Sequence, residues 1–365
     1  MNTQTREIMY VITSLVGGGA ERLLTNIALQ PNVRDRISVV SLLPGGVFRP
    51  TLEDAGIEVT DLGVRRRVDA LPALFRLAAL IRARRPAVVH GWLYHGNLMA
   101  FMAAILAQHP RTALFWGTFC TDGQGDPWTV RLLRLMNVFL SRFVAGVVYN
   151  AKEARDYHRR IGFREPRSIV ISNCIDPELF RHDPQKREAL RADLGIGDDK
   201  VIVAVVARVD PMKDWRTVRE AVREVPGIIT LAIGKGTDEL PAQPGFIGLG
   251  WRDDVVRILS AADVFLLGSA FGEGTSLALG EAMLCGLPCV VTDVGGNSSL
   301  LGEAGIVVRP RDMRAIRDAI VQLSGDPGRR EALGRAAYLR AMAAPSAEQT
   351  AGLMRLLTVS AEASG

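Results

Sequence analysis

Glu273 and Glu281 stand eight positions apart, the first flanked by glycines. Glu273 sits in the loop Gly268-Ser269-Ala270-Phe271-Gly272-Glu273-Gly274-Thr275-Ser276, directly after the apolar run Val264 to Leu267, which reads as a strand. Glu281 falls on the helix that follows. One carboxylate therefore meets a ligand at the helix start while the other reaches it about two turns further down. The amides of Gly274, Thr275 and Ser276 are expected to point at an anion, because a helix start carries unpaired N–H groups and partial positive charge. Carboxylate pairs of this kind hydrogen-bond sugar hydroxyls. A solvent-facing place for Glu281 fits less well, since Ala282, Met283 and Leu284 beside it read as buried.

A pair of cations follows another strand. Arg208 and Lys213 lie in Ala207-Arg208-Val209-Asp210-Pro211-Met212-Lys213-Asp214, after the run Val201 to Ala207. Two such cations at the carboxyl end of a strand clamp a diphosphate and stabilise it as a leaving group. A third signal is Gly17-Gly18-Gly19-Ala20-Glu21-Arg22, between a strand and a helix. Gly18 and Gly19 let backbone approach a ligand closely. This is not a dinucleotide fingerprint, because Arg22 stands where a third glycine belongs and no acid ends the second strand.

The elements that position these residues alternate. In the first half, strands are expected at Ile8–Ile12, Ile37–Leu43, Ile57–Leu62, Val88–His90, Ala113–Trp116 and Gly146–Tyr149. Helical spacing marks Ala20–Gln30, Phe48–Ala55, Leu71–Arg85 and Asn97–Gln108. The pattern restarts at Val201, with strands at Ile228–Ile233, Gly245–Leu249, Val264–Leu267, Pro288–Thr292 and Gly305–Val308. Repeated β-α units imply parallel sheets wrapped by helices. The expected fold class is α/β, with two doubly wound Rossmann-like domains facing across a cleft. The expected domains are 1–172 and 185–345, joined by a turn-rich linker at 173–184. A final helix within 346–365 is expected to pack back toward the first domain.

Composition narrows the function. The chain has 365 residues, 48% of them hydrophobic, which suits a soluble protein with two cores. Of its 44 basic residues only Lys152, Lys186, Lys200, Lys213 and Lys235 are lysine. The arginine excess invites phosphate or anionic lipid. No apolar run is long enough to span a bilayer, and no leader segment opens the chain, so a cytoplasmic location is expected. Cys120, Cys174, Cys285 and Cys289 form no Cys-x-x-Cys pair and fit a reducing compartment. A nucleic-acid role has only net charge in its favour, without zinc spacing or an RNA-binding aromatic motif.

The ensemble resembles glycosyltransferase family 4, of GT-B architecture. Glu273 through Glu281 is similar to that family's Glu-x7-Glu motif, and the run from Glu281 to Gly296 resembles its continuation. Arg208 and Lys213 match its diphosphate-binding pair, and Gly248 to Val255 its nucleotide-side loop. Gly17 to Arg22 resembles its donor-facing glycine loop, while Asn173 to Asp176 with Phe180 resembles its interdomain motif. The resemblance implies a retaining hexosyltransferase that needs no metal or other cofactor. Glu281 would bind ribose hydroxyls and Glu273 donor-sugar hydroxyls, while Arg208 and Lys213 would neutralise the departing β-phosphate. The donor-binding set becomes Gly18, Gly19, Arg208, Lys213, Glu273, Gly274, Thr275, Ser276 and Glu281, with Arg208, Lys213 and Glu273 catalytic. The absence of any Asp-x-Asp agrees with metal independence.

One position departs from the family. Where many relatives place a histidine near the donor sugar, this chain has Cys120. His90 and His95, at a nearby strand end, are the other acceptor-side candidates. The donor is expected to be a UDP-sugar ahead of a GDP-sugar. The acceptor is expected to be a glycan or lipid-linked molecule of surface-polysaccharide synthesis. A small-molecule acceptor, or a sugar-nucleotide epimerase of the same fold, is the alternative. Arg65, Arg66, Arg67, Arg76, Arg82, Arg84 and Arg85 surround one helix with a broad apolar side. That helix either packs on the core under solvated arginines or docks on anionic lipid as a peripheral anchor.

Overall fold

The computed structural model describes residues 7–109, 112–171, 173, 175–345 and 348–352. The chain divides into two compact units, Met1–Cys174 with Pro345–Gly365, and Ile175–Ala344.

In the first unit β1 (Ile8–Ile12), α1 (Gly19–Ala28), β2 (Ile37–Ser41), α2 (Arg49–Asp54) and β3 (Glu58–Asp61) lead to α3 (Ala70–Arg84). Then come β4 (Val88–Trp92), α4 (Leu93–Ala107), β5 (Ala113–Thr118), α5 (Trp128–Leu140), β6 (Gly146–Tyr149), α6 (Lys152–Arg160) and β7 (Ser168–Val170). The strands form one parallel seven-stranded sheet in the order β3-β2-β1-β4-β5-β6-β7. The run Ile8-Met9-Tyr10-Val11-Ile12 is buried throughout, as a central strand covered on both faces requires. Chain order reverses between β1 and β4, and ligands of open α/β sheets bind at such a reversal, beyond the strands' carboxyl ends.

The second unit repeats the plan. It contains α7 (Pro184–Asp193), β8 (Val201–Val206), α8 (Trp215–Val222), β9 (Ile228–Ile233), β10 (Phe246–Gly248), α9 (Val255–Ala261) and β11 (Val264–Leu267). It continues with α10 (Leu277–Leu284), β12 (Cys289–Thr292), α11 (Asn297–Leu301), β13 (Gly305–Val308), α12 (Met313–Gly325) and α13 (Pro327–Met342). Its parallel six-stranded sheet runs β10-β9-β8-β11-β12-β13, so the reversal lies between β8 and β11. Both units are doubly wound and Rossmann-like, as the alternating pattern predicts.

Two differences from the sequence reading have physical causes. The fourth strand does not end at His90 but continues to Trp92, whose register partner is Gly117. From there the chain enters α4 without a loop, through Leu93 at φ +62°. The helix begins at Leu93, four residues before the expected start at Asn97, and Gly96 and Asn97 are both buried inside it. A Cβ on Gly96 would lie 2.5 Å from the Val11 oxygen, so only glycine lets the helix approach β1. The Asn97 amide donates to the oxygens of Gly91 (2.8 Å) and Leu93 (3.3 Å), which satisfies the abrupt junction. The second difference is α5, which sequence patterning leaves without an element. Its only buried residues are Leu133 and Asn137, so its apolar side chains do not trace a buried stripe.

Candidate active site

The loops after β8 and β11 leave neighbouring strands at the reversal point of the second sheet, and they carry the charged residues. Lys213 meets Glu273 in an ion pair whose side chains are 12% and 8% exposed. Ser269 donates to the same Glu273 oxygen at 2.6 Å. Each loop is fixed by its own backbone. Asp210 accepts from the Met212 amide at 2.9 Å, which forms the turn that presents Lys213. Burial works against the Asp210 charge, but the Met212 amide and the Arg208 guanidinium outweigh it and hold the carboxyl below its usual range. The Ala270 amide donates to the Met212 oxygen at 2.8 Å and so ties the second loop to the first.

A third loop, between β12 and α11, supports Glu273 from beneath. Gly295 has φ +62°, and a Cβ there would lie 1.9 Å from the Glu273 oxygen. Next to it the Gly296 amide donates to the Gly274 oxygen at 2.6 Å. Glu281 lies within α10 and is buried. Its charge is felt one turn on, at Cys285, whose thiol is pushed up to about 12 by burial and then by that carboxylate.

The candidates are therefore not all gathered alike. Lys213 and Glu273 touch. Arg208 is half-exposed and pairs with Asp210 at 3.1 Å rather than with Glu273. The Ser276 amide, expected to face an anion, is instead taken by the buried Asn297 Oδ1 at 2.9 Å. This corrects the sequence reading, because a side chain from α11 already satisfies that donor. Ser269 and Asn297 are the residues that sequence reasoning missed. Asn297 acts across twenty-one residues from another element, while Ser269 reaches Glu273 from four residues away in the same loop. The nearest signal is a small polar residue set among glycines in each loop.

In the first unit, Gly18 is the extended residue before α1 and Gly19 opens that helix, with open space around the position of its missing Cβ. Glu21 bends back over this turn, so that a Cβ on Gly18 would lie 2.5 Å from its carboxylate. His90 is a core residue, not a cleft-facing one. It lies mid-strand, stacked near Tyr10, Trp92 and Phe115. Burial lowers its imidazole to about 3. His95 is exposed in the first turn of α4. Cys120 sits at the end of a polar chain. Its sulfur lies 3.4 Å from the Tyr94 hydroxyl, which is 2.9 Å from His158 Nε2, while His158 Nδ1 is 2.7 Å from the Ala154 oxygen. Burial pushes the Cys120 thiol up, against activation as a nucleophile.

Comparison with known proteins matches both units. Residues 17–174 fit the family described as glycosyl transferase 4-like domain, and residues 200–326 fit glycosyl transferases group 1. The chain is a glycosyltransferase of the family 4 type. An Escherichia coli galactosyltransferase, UDP-Gal:alpha-D-GlcNAc-diphosphoundecaprenol alpha-1,3-galactosyltransferase, is 24% identical over 70% of this chain and 71% of its own length. A D-inositol 3-phosphate glycosyltransferase of Nocardia farcinica is 30% identical over 57% of this chain and 51% of its own length. The chain thus spans about half of that second relative. In fold, the family 4 chain resembles Anabaena HepE solved with UDP and glucose, at TM-score 0.86 and 21% identity over 97% of this chain and all of that one. It also resembles sucrose-phosphate synthase of Thermosynechococcus elongatus, at TM-score 0.84 and 18% identity over 99% of this chain and all of that one. The GT-B fold class follows from these likenesses.

Proposed function

We propose that this glycosyltransferase moves a hexose from a UDP-sugar to a lipid-linked or glycan acceptor with retention of anomeric configuration and without a metal ion. The observation that carries this reading is the Lys213–Glu273 pair, set on adjacent strand-end loops at the reversal of the second sheet. Glu273 faces donor-sugar hydroxyls, and Glu281 takes the ribose hydroxyls. The acceptor hydroxyl attacks the anomeric carbon on the face from which the diphosphate departs. As the bond from that carbon to the β-phosphate oxygen breaks, the hydroxyl proton passes to a phosphate oxygen. UDP and a glycoside of unchanged configuration result. Lys213 and Arg208 carry the charge that develops on the leaving phosphate, which a fixed cation stabilises most at the transition state.

The names of similar proteins support the donor and acceptor classes. One is a galactosyltransferase using UDP-Gal on a diphosphoundecaprenol-linked sugar, and another was solved with UDP-glucose. Relatives named for D-inositol 3-phosphate favour a small-molecule acceptor as the second reading. Activity at the inner face of a membrane belongs to the first. The test is transfer from a panel of UDP- and GDP-hexoses in the presence of EDTA, with the product's anomeric configuration read by NMR. An α-linked product from an α-linked UDP-sugar is expected. An inverted product, or turnover abolished by EDTA and restored by a divalent ion, would overturn the mechanism.

A further inference from the structure

We infer that the helical layer α3–α4–α5 of the first unit is a docking surface for an anionic lipid bilayer, with α5 as the helix that enters it. The inference deepens the membrane-surface part of the reading above. It centres the contact on α5 rather than on the arginine-ringed helix α3 that the sequence singles out.

On α5, Trp128, Leu132, Leu135, Met136 and Phe139 are all exposed, and Phe143 continues the row one turn beyond the helix. Their spacing of four, seven, eight and eleven residues from Trp128 puts them on one face. Trp128 is 71% exposed and Leu135 64%, which no soluble surface requires. Scattered apolar residues are ordinary, but a continuous row this long marks an interaction site. Neighbouring helices extend it, because α4 packs on both α3 and α5 and exposes Met102 and Ile105, while α3 exposes Leu71 and Phe75.

Charge selects the occupant. The three helices together contain Arg76, Arg82, Arg84, Arg131 and Arg134, and no Asp or Glu. All five are engaged within the fold, Arg82 with the Leu106 oxygen and Arg131 with the Asp126 backbone oxygen. Arg84 pairs with Glu7 and Glu58, Arg134 with Asp126, and Arg76 donates to the Leu62 oxygen. Arg131 and Arg142 are exposed beside the α5 row, and the Arg142 guanidinium lies 4.8 Å over the Phe139 ring. An apolar row with tryptophan and phenylalanine, on helices that carry arginine and no acid, is the makeup of a surface that lies in a bilayer interface. A second copy of the chain would fit worse, since a symmetric contact would set the same arginines against each other. An anionic surface neutralises them.

The test is co-sedimentation of the full chain with phosphatidylcholine vesicles made with and without phosphatidylglycerol. The expected result is at least ~10-fold stronger partitioning onto the anionic vesicles, weakened by salt. The double variant Leu132→Asp/Phe139→Asp should lose that binding by at least ~10-fold, and Leu135→Ser, a milder change, by about 3-fold. Stabilisation of each variant by UDP reports that the fold and the second unit are intact. Equal binding by variant and wild type, or no preference for phosphatidylglycerol, would overturn the inference. So would conversion of a dimer to a monomer by the double variant, which would make the row a self-association face. Absence of UDP stabilisation in the wild type would sink the donor reading while leaving the vesicle result to stand.

Discussion

The two sheets present glycine loops at equivalent places, and the second holds an ion pair that joins two strands' loops. After β1, Gly17 to Gly19 lead into α1, and the carboxylate nearest the turn is Glu21 from the helix itself. After β11, Gly268 to Gly274 lead toward α10, and Glu273 there meets Lys213 from the neighbouring strand's loop. The topology is the same in both. In the first loop a local acid complements the helix start. In the second, a cation and an anion from separate strands converge, and Ser269 and the Gly295–Gly296 turn hold them in place. Glycine punctuation marks where a ligand can approach, while the cross-strand charges decide what chemistry follows.

The largest test of that contrast is Lys213→Ala. Loss of a transition-state cation should lower kcat by about 10²–10³-fold. The variant should remain folded with a reduced melting temperature, since Glu273 keeps its bond from Ser269. Near-normal turnover would erase the distinction between the loops. Next is Gly295→Ala, which forces a side chain into the Glu273 backbone at positive φ and should cost about 2–3 kcal/mol in denaturant unfolding. Gly19→Ala, which enters open space, should leave stability unchanged; a rise in KM for the donor would show that the first loop approaches it. Glu281→Ala should weaken UDP binding by ~10-fold or more in calorimetry, as expected for losing hydrogen bonds to a charged group.

A separate test distinguishes the units by pH. His90 and His158 lie in the first unit, and burial lowers them from 6.5 to about 3 and about 4. Below pH 6.5 the unfolded chain takes up these protons and the folded chain does not. Stability is therefore full above 6.5 and falls as pH drops from there toward 4, by up to ~1.4 kcal/mol per pH unit for each histidine. The second unit has only the exposed His182. Hydrogen exchange compared at neutral and mildly acid pH should show the first unit loosening first. Equal loosening of both would contradict the assignment.

The second unit's candidate residues are legible in sequence because each stands in a local pattern, although their pairing across strands is not. Arg208 and Lys213 follow a clear strand, and Glu273 and Glu281 keep a fixed spacing across a loop and helix. Asn297 was not legible, because it acts on the Ser276 amide from another element. His90 misled because its role depends on where β4 ends, and that is settled by pairing with β5 rather than by the residues themselves. The α5 helix was missed for the opposite reason. Its apolar residues face solvent, so the rule that such residues point inward gives no period to read. The strands were the easiest part, since sheets covered on both faces need continuous apolar runs.

The central claim is that the second unit carries the nucleotide on its β8, β11 and α10 residues. Hydrogen–deuterium exchange of the full chain with and without UDP tests it most directly. The account predicts slowed exchange at residues 207–213 and 272–284, reduced in Glu281→Ala and unaffected by EDTA. Slowed exchange confined to residues 16–22, or protection that appears only with a divalent ion, would contradict it.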